Sequence, residues 1–214
     1  GSANDRFSFI NDGEVTGQLQ GSAGSNTLDY SLYGSPIEVN LEMSTASGIS
    51  VGYSEIESIT GSASNSDILR GTDNDEVFET DGSGSGQVVD LDTLTKIDFT
   101  SIEQLDGQGG NNSIKGLAGA NSWIINGTNR GLLNGNPFEG FRNIEGGDGD
   151  NVFSFEGGGA IAGRLQGGNG IDELNYSNNY SPFTLDLERM ETSGTGSFTA
   201  IVTVVGSTNT DTLI

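Results

Sequence analysis

The chain has 214 residues, among them 35 Gly, 3 Pro, no Cys and no His, and sets 30 acidic against 8 basic side chains for a net charge of −22. Phosphate backbones and anionic lipid surfaces repel such a chain, which argues against nucleic-acid and membrane-surface partners. Without Cys or His there is no disulfide, no thiolate and no imidazole base or metal ligand. No apolar run nears the ~18 residues of a membrane-spanning helix.

Along the chain, Gly1-Ser2-Ala3 (residues 1–3) reads as an added remnant ahead of the natural sequence. Short apolar–polar alternations then follow one another: Phe7-Ser8-Phe9, Ile37-Glu38-Val39-Asn40-Leu41 and, near the end, Ile201-Val202-Thr203-Val204-Val205. Alternation of this kind predicts short strands, and no long stretch has helical periodicity. Residues 121–141 are the most distinctive segment, with Trp123, Phe138 and Phe141. Trp123 sits in an apolar run and reads as core, with an exposed contact as the alternative.

A long internal repeat organises these elements. Phe7-Ser8-Phe9 matches Phe153-Ser154-Phe155, Leu19-Gln20-Gly21 matches Leu165-Gln166-Gly167, and Leu28-Asp29-Tyr30-Ser31 matches Leu174-Asn175-Tyr176-Ser177, all at an offset of 146. After a short deletion Gly61-Ser62 realigns with Gly206-Ser207. Within the long repeat lies a shorter motif: aliphatic, any, Gly, a small or polar run, Asn or Asp, any, apolar. It runs from Leu19, Ile59, Leu105, Ile144, Leu165 and Val204, at spacings of 40, 46, 39, 21 and 39. These approximate one or two multiples of 20.

A unit of about 20 residues with two or three short strands buries its apolar face only by stacking on neighbours. The expected fold is therefore all-β, a parallel β-solenoid (β-helix) with coils of about 20 residues and the six motif aliphatics on one inner face. Asn and Asp bond their own backbone at the corners and ladder from coil to coil. Residues 4–149 form a first long repeat of about seven coils, and residues 150–214 a partial second repeat continuous with it in one solenoid. About ten coils are expected in all. Tandem antiparallel β-sandwich modules are the alternative, with Phe198–Val205 and Phe183–Leu187 as a hairpin.

Two resemblances bear on function. Gly167-Gly168-Asn169-Gly170-Ile171-Asp172-Glu173-Leu174 is similar to the nonapeptide of RTX calcium-binding repeats, and Gly146-Gly147-Asp148-Gly149-Asp150-Asn151-Val152-Phe153 resembles it with Asn at the Asp position. In RTX rolls the nonapeptides follow one another directly, whereas these two are 21 residues apart. The wider pattern, with Phe153-Ser154-Phe155, Leu28-Asp29-Tyr30-Ser31, Gly52-Tyr53-Ser54-Glu55-Ile56-Glu57 and Trp123-Ile124-Ile125, resembles the long repeats of giant bacterial surface proteins of haemagglutinin or adhesin type.

The second resemblance implies an extracellular, cell-surface location and a scaffold role, with neighbouring repeats of the parent chain as partners. The first implies calcium as the one possible cofactor. Its ligands would be Asp148, Asp150, Asn169 and Asp172, because calcium takes ~6–8 oxygens and stacked corners offer carboxylates and carbonyls. No enzyme is expected. A serine hydrolase lacks its His, Lys96 and Lys115 lie in polar strand contexts, and the eight bases are scattered. The two readings of function are a stalk or extender segment and a calcium-dependent module that binds surface glycans or another cell, the latter with residues 121–141 as its candidate contact.

Overall fold

The computed structural model describes residues 2–117 and 119–214. Gly1, the first residue of the expected remnant, lies outside them. The described residues hold 25 strands and no helix, and the strands pair mainly in parallel. The fold is the expected all-β solenoid. The chain divides into two compact units.

The first unit runs to Phe78 and takes in Ser83–Gly110. In order it holds β1 (Arg6–Ile10), β2 (Gln18–Gln20), β3 (Thr27–Leu32), β4 (Glu38–Asn40), β5 (Thr45–Ala46), β6 (Gly52–Ser54), β7 (Ser58–Thr60) and β8 (Ile68–Arg70). After β9 (Glu76–Thr80), whose last two residues belong to the second unit, come β10 (Gly86–Asp90), β11 (Lys96–Thr100) and β12 (Gln104–Asp106). One parallel ladder stacks β1, β3, β7 and β11 in the register Phe7, Leu28, Ile59, Phe99. A second stacks β4, β8 and β12 through Val39, Leu69 and Leu105. β2 and β6 pair through Leu19 and Tyr53.

The second unit holds β13 (Ser113–Gly116), β14 (Ser122–Gly127), β15 (Arg130–Leu133), β16 (Asn136–Glu139), β17 (Asn143–Glu145), β18 (Val152–Phe155) and β19 (Ile161–Gln166). It continues with β20 (Glu173–Asn175), β21 (Thr184–Asp186), β22 (Glu191–Thr192), β23 (Thr195–Thr199), β24 (Thr203–Val205) and β25 (Thr212–Leu213). One ladder aligns Ile114, Ile144, Leu165 and Phe198. The other aligns Trp123, Phe153, Leu174 and Val204.

Side chains alternate along each strand, so one residue in two enters the shared interior. Leu28, Ile59, Leu69, Ile114, Trp123, Phe153 and Leu174 are fully buried there.

Two expectations are corrected here. The six motif aliphatics do not share one face: Leu19, Ile59 and Leu105 stand on three different ladders of the first unit. In the second, Ile144 and Leu165 stack together while Val204 joins the other ladder. The reason is that the motif spans strand, corner and next strand, so a copy can lead from either ladder. Secondly, the coil is 21 residues from Phe7 to Leu28, from Ile144 to Leu165 and from Phe153 to Leu174, but 30 from Val39 to Leu69 and 40 from Ile59 to Phe99. Hairpins such as β10–β11 and the β14–β15–β16 meander consume the extra residues. Each unit accordingly stacks four levels, fewer than coils of 20 residues throughout would give.

The two copies of the long repeat agree in their internal packing. Phe9 stacks on Tyr30 with ring centroids 4.6 Å apart, and Phe155 stacks on Tyr176 at 4.7 Å. All four rings are buried. The Leu19–Tyr53 pair of the first copy recurs as Leu165–Phe198 in the second. Even the polar corner is kept: Ser62 N–H donates to Asp67 Oδ2 at 2.6 Å, and Ser207 N–H to Asp211 Oδ2 at 2.8 Å.

Candidate functional site

The corners of the second unit contain every residue of the expected cation set. Gly146–Phe153 and Gly167–Leu174 turn from one ladder to the other, 21 residues apart. Gly168 adopts φ +106°, and a Cβ there would collide with the Gly147 carbonyl. Only glycine lets these two corners nest at strand spacing.

Nesting brings some of the predicted ligands together and separates others. Asn169 Nδ2 donates to Asp148 Oδ1 at 2.7 Å, and the two residues form a parallel bridge. Asp150 Oδ1 accepts the Ile171 N–H at 2.7 Å. Asp148, Asp150 and Asn169 are exposed. Asp172 is different: it is fully buried, and its Oδ1 accepts from both the backbone N–H (2.9 Å) and Nδ2 (2.8 Å) of Asn151. Its Oδ2 is buried without a hydrogen-bond partner. Three of the four residues thus face solvent on one corner pair, and the fourth serves the interior. Of the expected set, Asp148, Asp150 and Asn169 remain at the exposed corners, two carboxylates in all. No group of three or more acidic side chains is suited to a metal among the described residues.

Asp172 belongs to an interior polar ladder. Asn121 N–H donates to Asn151 Oδ1 at 2.9 Å, and Asn151 in turn bonds Asp172. The amide groups also satisfy corner carbonyls: Asn121 Nδ2 reaches Gly146 O at 2.8 Å, and Asn151 Nδ2 reaches Gly149 O at 2.8 Å. Buried corner carbonyls need such donors, because water does not reach them. Asn121 escaped the motif search, although Ile114-Lys115-Gly116 to Asn121-Ser122-Trp123 keeps the full spacing. So did Leu69-Arg70-Gly71 to Glu76-Val77-Phe78, where Glu stands in place of Asn or Asp.

Glu76 is 1% exposed and lines a partly open pocket of about 110 Å³ with Leu41, Thr72, Val88, Asp90, Thr95 and Ile97. Burial raises its pKa from an ordinary 4.5 to about 7; the Thr72 N–H, 3.0 Å from Oε2, opposes that rise, and Asp90 and Glu42 add to it.

The distinctive segment 121–141 lies in the interior. Trp123 is fully buried, stacks on Phe153 at 5.9 Å and meets Phe138 edge-on at 5.7 Å. Phe138 and Phe141 are buried too, so these aromatics are core and the segment offers none of them as a binding face. An open groove of about 500 Å³ flanks the corner pair, lined by Lys115, Glu145, Gln166, Asp148 and Asn169 among others. Lys115 lies 3.5 Å from both Glu79 and Glu145, chiefly Glu145 raising its pKa, so it is held as a charged ammonium. Lys96 pairs with Asp98 at 2.9 Å. A scan against protein-family models finds no match, and no curated protein sequence matches the chain.

Proposed function

We propose that the chain is a structural stalk or extender segment, non-catalytic, of a large extracellular bacterial surface adhesin. The observation that carries this reading is the recurrence of one packing scheme in both copies of the long repeat. Ring stack, ladder partners and corner bonds recur together, down to the Asp67 and Asp211 carboxylates. A segment selected to bind one ligand needs one copy with an exposed, distinctive surface. A segment selected to extend needs copies that stack alike, because each adds length through the same neighbour contacts.

The test is small-angle scattering on tandem proteins carrying one to four copies of residues 4–149. An extender predicts a maximum dimension that grows by an equal increment with every copy. Growth of the radius of gyration as about N^0.38, the scaling of compact domains, would sink the reading.

A second reading is supported by one observation, the meeting of Asp148 with Asn169 and of Asp150 with Ile171 across adjacent corners. It makes the segment calcium-dependent, with Asp148, Asp150 and corner carbonyls as donors. Calcium supplies charge compensation there and clamps two coils together.

A further inference from the structure

The second unit contains the chain's three Asn-Gly pairs: Asn126-Gly127, Asn134-Gly135 and Asn169-Gly170. A glycine nitrogen, with no Cβ beside it, is the least hindered nucleophile toward the side-chain amide of the residue before it. Its attack on the Asn Cγ forms a C–N bond and closes a five-membered succinimide. The Cγ–Nδ2 bond breaks, and the amide nitrogen leaves as ammonia with the proton that the glycine nitrogen gives up. Water then opens the ring, giving Asp or, through the other carbonyl, isoaspartate. The ring closes only when the backbone rotates to bring the two atoms together. What holds the backbone and the amide therefore decides which pair reacts.

The three settings differ. Asn126 lies within β14, which is paired with β15 on one side and β18 on the other. Asn134 sits in the turn between β15 and β16 with its amide held by three bonds. Its Oδ1 accepts the Ser122 N–H at 2.9 Å, and its Nδ2 donates to Asp81 O at 3.2 Å and Asn121 Oδ1 at 3.0 Å. Asn169 lies on an exposed corner outside the strands, tied to the neighbouring coil by an isolated bridge. Among the described residues its side chain makes one hydrogen bond, to Asp148, and none engages the Gly170 N–H.

We propose that Asn169 is a self-modification site: it deamidates spontaneously in the folded chain and turns the contact between two coils from a bond into a repulsion. Either product replaces the donor that faces Asp148 with a carboxylate, beside Asp150 on the same corner pair. Isoaspartate also adds a methylene to the main chain between Gly168 and Gly170. Both glycines fit so closely on the Gly147 and Gly149 carbonyls that even a Cβ would collide there. The corner contact consequently loosens as the protein ages. The inference rests on neither the stalk reading nor calcium.

The test is incubation of the folded protein at pH 8.5 and 37 °C, followed by intact mass and peptide mapping. The mass is expected to rise by the exchange of an amide for an acid, with Asn169 converted ahead of Asn126 and Asn134. In urea, where the fold no longer protects two of them, the three should react alike. Asn169→Gln should remove the early product. Asn169→Asp, its fold checked by circular dichroism, should melt below the natural chain, by a margin that 0.5 M salt narrows. No conversion of Asn169 in the folded protein would overturn the proposal, as would earlier conversion of either other Asn or the same order and spread of rates in urea. An Asn169→Asp variant that melts with the natural chain would overturn the repulsive contact.

Discussion

Replacing Glu76 by Gln removes a buried carboxylate while keeping its shape. The gap between 4.5 and about 7 corresponds to about 3 kcal/mol at ~1.4 kcal/mol per pH unit. The direction follows from linkage. Below pH 4.5 the group is protonated in both the folded and unfolded chain and costs nothing. Between 4.5 and 7 the unfolded chain releases the proton and the folded chain holds it, so stability falls as pH rises; above 7 the loss is complete. Asp29 and Asp90 oppose this in the natural chain: despite the raising effect of burial, hydrogen bonds from Ser31 and Arg6, and from Asn74 and Thr93, lower their pKa values. The informative quantity is therefore the difference between natural and variant chains. Urea unfolding followed by circular dichroism at pH 4, 5, 6, 7 and 8 is expected to show near-equal stability at pH 4. The variant should lead by about 3 kcal/mol at pH 8. A difference that does not change with pH would refute the reasoning.

Three further outcomes are expected. Asn151→Ala strands the Asn121 N–H and corner carbonyls that Asn151 satisfies, and at ~1–3 kcal/mol per buried unsatisfied group it should cost about 3 kcal/mol in urea unfolding; a loss below about 1 kcal/mol would contradict the ladder. Trp123, fully buried, should give blue-shifted fluorescence that acrylamide barely quenches, whereas solvent-like emission would return it to the surface. If calcium binds at the corner pair, millimolar calcium should raise the melting midpoint above that in EDTA and above an equal concentration of magnesium, by a margin that Asp148→Asn plus Asp150→Asn abolishes. Equal small rises with both ions would mean screening alone.

The sequence carried the fold class through features tied to backbone geometry: the alternation at Phe7-Ser8-Phe9, the Gly-to-Asn corner spacing and the 146-residue offset. It did not carry the path. The motif from Ile144 to Phe153 joins two ladders, and no spacing between motif starts says which ladder comes first. Trp123 was legible as core from its apolar run, whereas the inward meander that buries Phe138 and Phe141 was not, because buried and exposed aromatics share the same alternating pattern. At the corner pair, consecutive GG motifs made Asp148 and Asn169 neighbours, as their 21-residue spacing implies. Asp172 resembles a fourth ligand by residue type alone, yet the polar residue at that spacing is the one that bonds inward, as Asn151 and Asp67 do. Glu76 lay outside the Asn/Asp pattern through one extra methylene.

The most direct test of a parallel solenoid with equivalent copies is disulfide capture, since the chain has no cysteine of its own. Arg6 faces Thr27 across β1 and β3, and Val152 faces Glu173 across β18 and β20. Parallel strands put such partners ~4.8 Å apart, inside the Cα range of a disulfide. The double variants Arg6→Cys/Thr27→Cys and Val152→Cys/Glu173→Cys should both oxidise readily without loss of fold. The slipped pair Val152→Cys/Asn175→Cys, ~8 Å apart by strand geometry, should not. Capture of the slipped pair, or of one matched pair without the other, would contradict the fold or the equivalence of its copies.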